Sequence, residues 1–214
     1  MGVMTTEQEL AAQIGARRSN RRYLPQPIAR PVIARLLTAA TRAPSAHNRQ
    51  PWRFAVLDDE AGKHRLAAAM GERLRRDRAA DGDDVPSIDA DVARSHARIT
   101  GAAVVVVVCV DIADMDRYPD DRRKEAEYLM AVQSTAMAAQ NLLLAAEREG
   151  LAACVMCAPL FCPDTVVEAL KLPRAWTAQM LVTIGAPAGP GKERPRRPLD
   201  DVVLWPPPDG PRSD

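Results

Sequence analysis

A run of branched apolar residues near the middle of the chain constrains the fold more than any other feature. Residues 104–110 read VVVVVCV. β-Branched side chains favour extended backbone, and a run this short has the length of a strand rather than of a helix. Because both faces of such a strand are apolar, we predict a central strand that is covered on both sides. The rest of the chain must then supply helices for both faces of a sheet.

Apolar residues recur at helical spacing in several other segments. Each of these segments also carries a start or stop signal, such as a capping-box pair, a proline in the first turn or a glycine after the end. The predicted helices are a short one that starts at Thr6 with Glu9, one from Pro31 that Pro44 ends, a charged one around Met70, one capped by Ser87 that ends near Gly101, a long one over residues 124–149 closed by Gly150, and a short one from Pro163.

The long helix is apolar on nearly all sides, because it is rich in Ala, Leu and Met. Polar residues within it, such as Glu127 and Gln133, would be heavily penalised in hydrocarbon, so we expect a buried helix and no membrane contact. A chain of 214 residues has few elements to surround such a helix. We therefore predict that a second subunit also contacts it.

Three further segments, residues 52–57, 151–157 and 180–185, have the pattern of β-strands. Helices and strands alternate along the chain, which favours an α/β or α+β layered fold, with one mixed sheet and helices on both faces. From Pro187 onward the chain is rich in Pro, Gly and charged residues and is expected to be extended. We predict a single domain over residues 1–204 and a flexible, Pro-rich tail over residues 205–214.

The charge of the chain is nearly balanced. With 29 Lys and Arg against 28 Asp and Glu, the formal net charge is +1. No global field therefore favours nucleic acid or an anionic membrane as a partner. The first residues lack the basic and apolar regions of a secretory signal, so a cytoplasmic location is expected.

Four cysteines, Cys109, Cys154, Cys157 and Cys162, lie in apolar surroundings and are expected to be free thiols. Cys154 and Cys157 have C-x-x-C spacing, but a zinc site would need a fourth ligand and turn-forming residues around the pair. A thioredoxin-like pair would open a helix, whereas this segment has the pattern of a buried strand. We expect no metal site, and thiol chemistry remains the less favoured alternative.

Two basic clusters lie near the two ends of the chain. Arg17, Arg18, Arg21 and Arg22 surround Ser19. The second cluster consists of Lys192, Arg194, Arg196 and Arg197. The planar fork of arginine bonds phosphate oxygens in pairs and stays charged at any working pH. The clusters fit one phosphorylated ligand held from two directions, and dispersed, solvated charge is the alternative.

A loop of ten residues, APSAHNRQPW at positions 43–52, combines two prolines, a histidine, two amides and a tryptophan. Polar loops held between rigid elements commonly bind ligands, although an ordinary helix-to-strand connection is the alternative. No dinucleotide-binding glycine fingerprint, P-loop or serine-nucleophile motif is present, and there are only three histidines. A chain so poor in acid, base and nucleophilic groups is typical of a protein whose cofactor carries the reaction.

Three of these patterns together resemble the nitroreductase family: R-R-S-x-R-x-Y at residues 17–23, A-P-S-x-x-N-x-Q-P-W at residues 43–52, and the late basic segment. The stretch RYPDDRRKEAEYLMAVQSTAMAAQNLLLAAEREGLAACVMCAPLF is similar to the C-terminal flavin domain of the mycobacterial γ-glutamyl ligase that makes the deazaflavin coenzyme. The resemblance covers about residues 6–204. It implies a three-layer α-β-α sandwich and a domain-intertwined homodimer that binds FMN at its interface.

The resemblance also implies which residues hold the cofactor. The phosphate and ribityl chain would lie against Arg17, Arg18, Ser19 and Arg21, with Arg196 or Arg197 closing from the tail. The loop of the partner subunit would contribute Pro44, Ser45, Asn48 and Gln50. The backbone of Met156, Cys157, Ala158 and Pro159 would lie beside the isoalloxazine ring near N5.

Two positions distinguish branches of the family. The Asn48 and Gln50 amides resemble general nitroreductases more than the deazaflavin-related domain. The branch that fragments FMN to make dimethylbenzimidazole typically has Asp at the position of Ser19, which argues against that activity here.

The implied function is that of an FMN-dependent oxidoreductase. A reduced donor, NAD(P)H or a reduced deazaflavin, would reduce the flavin and leave before a quinone, nitroaromatic or other heteroaromatic acceptor binds. Two alternatives remain open: a stand-alone reductase in deazaflavin (coenzyme F-420) metabolism, and a flavin-binding protein without turnover. In the deazaflavin case, Asp77, Arg78 and the polar loop DGDDVPS at residues 81–87 would form a flap over the flavin, and a solvated loop is the alternative.

Overall fold

The structure is a computed structural model that describes residues 6–206, with side chains from residue 10 onward. The predicted capping pair at Thr6 and Glu9, and most of the predicted flexible tail, lie outside the described side chains. The α-helices are α1 (Thr6–Ala16), α2 (Arg30–Ala40), α3 (Glu60–Ala80), α4 (Val85–Thr100), α5 (Asp121–Arg148) and α6 (Pro163–Leu170). The strands are β1 (Trp52–Leu57), β2 (Val104–Asp111), β3 (Ala152–Met156) and β4 (Trp176–Gly185), and short 3₁₀ turns cover Ala46–Asn48, Ala158–Phe161 and Leu199–Asp201.

The four strands form one sheet in the order β1-β2-β4-β3, in which every neighbouring pair is antiparallel. The prediction of a mixed sheet was therefore wrong for the described strands. Among the described residues, the one parallel contact is an isolated bridge between Ser19 and Ala153. Strand direction depends on how each long connection returns to the sheet. The residue pattern of a buried strand carries no information about that.

The predicted central strand is confirmed, because every residue of Val104–Val110 is buried. Its side chains alternate between two apolar clusters. Val105 and Val107 pack in one cluster with residues of α3, α4 and α6. Val106 and Val108 pack in the other with residues of α2 and α5. Since full burial of a valine side chain contributes about 1.5–3 kcal/mol, this strand anchors both helical layers, and the predicted α-β-α layering is confirmed.

Helices α3 and α4 form a hairpin where a polar loop was predicted over residues 81–87. The connection is only residues 81–84, and α4 begins at Val85. The Asp84 side chain, rather than Ser87, caps this helix, because it accepts the Ser87 N–H at 2.9 Å. Arg78 of α3 pairs with Asp83 at 2.6 Å and also with Asp91 of α4. Most of the segment proposed as a flap is therefore helical.

Helix α5 packs one face against the sheet and against α2, and leaves another face uncovered. Buried residues include Ala131, Ala138 and Leu142, whereas Leu129 is 54% exposed and Met137 is 40% exposed. Gly150 follows the helix with φ of +71°, which confirms its predicted role at the C-terminus. Among the described residues, α5 is the one helix long and apolar enough to cross a membrane, a test that core helices of globular proteins also pass.

Strand β4 begins at Trp176, four residues before the predicted start. The missed residues include Thr177 and Gln179, whose polar side chains hide the strand pattern, and the pairing with β2 shifts register between Val108 and Cys109. The additional pairing places Trp176 opposite Asp111. This lengthens the central pair of strands beyond the purely apolar run.

Tyr23 attaches the segment before α2 to the sheet. Its ring lies against Gly185 so closely that a Cβ atom built at Gly185 would come within 2.8 Å of three Tyr23 atoms. Its hydroxyl lies 2.9 Å from the Asn20 carbonyl oxygen and 2.7 Å from Thr183 Oγ1. Burial raises the pKa of Tyr23 to about 12, so the hydroxyl remains a neutral donor. Residues 17–23 are thereby fixed beside β3 and β4.

The contact between Tyr23 and Gly185 predicts that Gly185→Ala destabilises the fold. The added methyl must displace the ring or the strand, and overpacking of this kind costs about 1–3 kcal/mol in the free energy of unfolding. Thermal denaturation should show a Tm lower by several degrees. Gly15→Ala is the matched control, because no described residue comes within 4 Å of a Cβ at Gly15. Equal Tm values for the two variants would contradict this account of the contact.

Candidate functional site

The two basic clusters at opposite ends of the chain line one cavity of about 690 Å³. Arg17, Arg18 and Arg21 lie in the wall that comes from the end of α1, together with Arg22. The opposite wall comes from the segment after β4. The residues of that wall are Pro190, Gly191, Lys192, Glu193, Arg194 and Arg196. Gln140 of α5 also lines the cavity. The fold therefore brings together two clusters that lie far apart in the sequence.

The charge of this cavity is strongly positive although the chain as a whole is nearly neutral. Among the residues that the structure describes, seven basic side chains line it, and Glu193 is the one carboxylate. Arginine forks bind phosphate oxygens in pairs, and phosphate carries about −1.5 to −2 charges at pH 7. The donor set therefore suits a phosphate group.

Backbone contacts to the sheet edge hold the arginine wall in place. The Asn20 N–H donates to the Ala153 carbonyl of β3 at 3.2 Å, and Ser19 forms the parallel bridge with the same residue. Further along, the Leu24 N–H donates to Ala186 O at 2.8 Å. Because β3 is an edge strand, its outer carbonyls are available for such bonds. The arginines thus extend from a backbone that is fixed rather than from a free loop.

The second wall packs directly on the first. A Cβ atom at Gly191 would clash with Arg18 Cβ, so glycine permits this close approach. Arg18 Nη2 lies 3.3 Å from Glu193 Oε1, and its Nη1 donates to the Gly15 carbonyl. The Glu193 side chain is 84% exposed, and exposed ion pairs contribute little. An incoming anion can therefore take the place of this carboxylate at Arg18.

The loop at residues 43–52 is held in an unusual backbone conformation. His47, Asn48 and Gln50 have φ values of 49°, 55° and 50°. Residues other than glycine rarely adopt positive φ, because this backbone conformation is strained. Strain of this kind persists where the surrounding structure enforces it, commonly at functional sites. Here the Gln50 N–H donates to Ser45 Oγ at 3.0 Å and the Ala46 N–H to Ser134 Oγ at 3.3 Å. The loop is thus built rigidly on α5.

This loop does not reach the basic cavity within one chain. None of Pro44, Ser45, Asn48 and Gln50 lines it. The loop contacts α5 at Ser134, whereas the cavity contacts α5 at Gln140. Six residues of helix separate these points by about 9 Å along the axis and place them on different faces. The roles of these loop residues remain predictions that involve a second subunit.

The segment Met156–Pro159 lies further along the edge strand that supports the arginine wall. Ser19 pairs with Ala153, and Met156 ends β3 three residues later, about 10 Å along the strand. Cys157 is exposed there, and Pro159 is buried at the start of a 3₁₀ turn. The arginine wall and this segment therefore follow one sheet edge, as binding of one elongated ligand would require.

The structure corrects the predicted end of one strand and distinguishes between the two candidate arginines of the tail. The predicted strand over residues 151–157 ends at Met156, so Cys157 is exposed while Cys154 is buried within β3. Burial raises the pKa of the Cys154 thiol, which opposes thiolate chemistry. In the tail, Arg196 lines the cavity and Arg197 does not.

The sequence did not identify Asn20, Gln140 or Gly191 as part of the site. A glycine at a close backbone approach and a glutamine on a helix have no distinctive local pattern. For Asn20 the sequence offered one signal, since an Asn within the arginine segment suggests a turn. In the structure its side chain accepts the Arg22 N–H at 3.1 Å. Asn commonly forms turns of this kind, in which its side chain bonds to the backbone two residues later.

Comparison with known proteins identifies relatives over nearly the whole chain. The model of the nitroreductase family matches residues 14–186. A protein named NADH dehydrogenase from Thermus thermophilus is 31% identical and is aligned over 88% of this chain and 92% of its own length. The 5,6-dimethylbenzimidazole synthase of Rhodospirillum rubrum is 30% identical, over 80% of this chain and 78% of its own.

Solved structures show the same fold. A Desulfovibrio desulfuricans protein, solved in complex with FMN and assigned as a nitroreductase, superposes with a TM-score of 0.73 at 27% identity, over 94% of this chain and 99% of its own. The NADPH:FMN oxidoreductase of Vibrio harveyi, solved with NAD⁺, has a TM-score of 0.68 at 22% identity, over 91% of this chain and 76% of its own. The family match over residues 14–186, with a relative 31% identical along most of both chains, shows that this chain belongs to the nitroreductase family.

Proposed function

We propose that this chain binds FMN with its phosphate in the basic cavity and transfers hydride from NAD(P)H to a quinone, a nitroaromatic or another heteroaromatic acceptor. The family and its NAD(P)H- and FMN-linked members make an FMN-dependent oxidoreductase the shared enzyme type. One observation of this molecule carries the assignment. Two distant basic clusters meet in a cavity that adjoins the edge strand leading to Met156–Pro159.

The residues of the cavity fit the phosphate of FMN. Arg17, Arg18 and Arg21 lie on a backbone fixed to β3, so little backbone freedom is lost when an anion binds. Lys192, Arg194 and Arg196 face them from the tail. In this arrangement the arginine wall positions the phosphate, and the tail closes over it.

Bound FMN supplies hydride chemistry, which no side-chain set in this chain provides. The contribution of the chain is to orient the ring and to shield it from water. We assign the backbone of residues 156–159 to one side of the ring, where an N–H can donate to the ring edge. The buried Pro159 and the 3₁₀ turn that contains it make this segment rigid.

We further propose that the site is completed in a homodimer. Helix α5 leaves Leu129 and Met137 exposed on an uncovered face. The rigid, strained loop stands apart from the cavity of its own chain. A second copy packed on this face of α5 would bury the apolar residues and bring its Ser45 and Asn48 toward the cofactor.

The relative from Rhodospirillum rubrum raises a different reaction, the synthesis of 5,6-dimethylbenzimidazole. We do not extend that activity to this chain, since the branch resemblance associates it with Asp at the position of Ser19. Ser19 lines the cavity and lacks a carboxylate. The proposal for this chain therefore remains transfer of hydride to an external acceptor.

Rapid mixing provides the test of turnover. The purified protein is expected to be yellow, and NADH or NADPH should bleach its flavin absorbance in a stopped-flow instrument. Menadione or a nitroaromatic, added second, should restore the absorbance. A protein that binds FMN but is not reduced by either nicotinamide would support a binding role without turnover. The reduced deazaflavin coenzyme, run as a third donor, tests the alternative link to deazaflavin metabolism.

Removal of a cavity arginine should weaken FMN binding. A charge-assisted hydrogen bond to phosphate contributes roughly 1.5–3 kcal/mol, so Arg17→Ala and Arg18→Ala should each raise the Kd for FMN at least about tenfold. Fluorescence titration of FMN-free protein measures the change. Arg30→Ala is the control, because Arg30 lies outside the cavity in an exposed pair with Asp58. Wild-type affinity in both cavity variants would remove the phosphate assignment.

A charge on the uncovered face of α5 should separate the subunits. Met137→Glu places a carboxylate on the apolar face, and burial of an unpaired charge strongly disfavours association. Sedimentation at low micromolar concentration should show a dimer for the wild type and a monomer with reduced FMN content for this variant. Thr38→Glu adds the same charge to the exposed face of α2 and should stay dimeric. A monomeric wild type that retains FMN would contradict the shared site.

A further inference from the structure

We propose that Asn20 is a positioning residue that joins the arginine wall of the cavity to the basic tail, so that both walls close on one phosphate. The proposal rests on the proposed function for the identity of the phosphate as that of FMN. The proposal concerns how the two walls are held together. The hydrogen bond from Asn20 to the tail that carries it can be tested in the protein without FMN.

Asn20 is buried although its neighbours in sequence are exposed. Its exposed fraction is 8%, whereas Ser19 and Arg21 on either side are exposed. A buried amide is unfavourable unless its polar atoms are bonded. The burial of this one polar side chain amid a basic turn therefore indicates that its bonds matter to the arrangement.

The side chain bonds to both walls. Asn20 Nδ2 donates to the Gly189 carbonyl of the tail at 2.8 Å, while Oδ1 accepts the Arg22 N–H at 3.1 Å. Only one orientation of the amide satisfies both partners, because a carbonyl can only accept and an N–H can only donate. The side chain is thus a specific link and does not merely fill space.

The backbone of Asn20 attaches the same residue to the sheet. Its N–H donates to Ala153 O at 3.2 Å, and its carbonyl accepts from the Tyr23 hydroxyl at 2.9 Å. Thr183 of β4 contacts that hydroxyl in turn. One residue therefore connects β3, β4, the arginine segment and the tail.

The tail has few other attachments near the cavity. The Ala188 N–H donates to Arg22 O at 3.1 Å, and Gly189 then accepts from Asn20. Between Gly189 and Pro198, in the part of the chain that the structure describes, the other polar contact is the exposed Arg18–Glu193 pair. Lys192, Arg194 and Arg196 lie within seven residues after Gly189, the residue that accepts the hydrogen bond from Asn20. Without it, these cations would sample many positions and would lose their orientation toward the phosphate.

The variant Asn20→Ser separates the two bonds of the side chain. A serine hydroxyl can still accept the N–H two residues later, as in the common turns of Ser and Asn. It is too short to reach Gly189. Asn141→Ser is the matched control, because Asn141 is a partly buried amide whose Nδ2 donates to Ala39 O at 3.4 Å, between α5 and α2.

Two measurements distinguish positioning from general destabilisation. In FMN-free protein, trypsin should cut the tail after Lys192 or Arg196 about tenfold faster in Asn20→Ser than in Asn141→Ser, since loss of one buried hydrogen bond changes such an equilibrium by about that factor. The Kd for FMN should rise by a similar factor. At saturating FMN the kcat should return to the wild-type value, because the residue acts on affinity and not on the reacting atoms.

Specific outcomes would overturn the proposal. Equal trypsin rates in the two variants would do so, and so would a loss of FMN affinity without faster cleavage, because the effect would then bypass the tail. Asn20→Asp provides a second variant if Asn20→Ser folds poorly: it keeps the size and the turn, and places a carboxylate oxygen against the Gly189 carbonyl. If the wild type binds no FMN, the proposed function fails, and the cleavage rates still decide the role of Asn20.

Discussion

The attachment of residues 17–24 to the edge of the sheet is the constraint on which the rest of the site depends. This segment bonds to β3 through Asn20, lies against Gly185 through the Tyr23 ring, and meets the chain after β4 at Ala186. The side chains of four arginines then extend from one fixed stretch of backbone. Free arginines lose much rotamer entropy when they bind an anion, and a fixed backbone reduces the number of groups that must still be ordered.

The cavity also shows how a nearly neutral chain can hold a strongly charged ligand. Its seven basic side chains come from two segments separated by about 170 residues of a chain whose formal net charge is +1. The rest of the chain therefore carries a formal net charge of −5, for example where Arg78 pairs with both Asp83 and Asp91. Local concentration of one sign of charge focuses the field at the cavity without making the whole surface basic. Global composition accordingly excluded a broad polyanion partner but could not exclude a phosphate site.

The elements that depend on local pattern were predictable from the sequence, and those that depend on long-range geometry were not. The run Val104–Val110 and the strand Trp52–Leu57 agree with the structure because burial and alternation are local properties. The direction of the strands and the early start of β4 at Trp176 depend on tertiary pairing. In the site, the residue types predicted the ligand chemistry. The position of Gly191 against Arg18 and the link from Asn20 to Gly189 depend on where a distant tail packs, which no local signal contains.

The strand order has a consequence for how the chain reaches this structure. The last strand, β4, lies between β2 and β3, so the sheet has no continuous centre until residue 185 is available. Two of the three strand pairs join segments separated by tens of residues, and pairing across such distances is slow because loop closure precedes the stabilising contacts. During synthesis from the N-terminus, β2 is made well before the partner that covers one of its edges. That edge, with its run of valines, stays unpaired in the nascent chain until β4 is made, and an unpaired strand edge can pair with other chains.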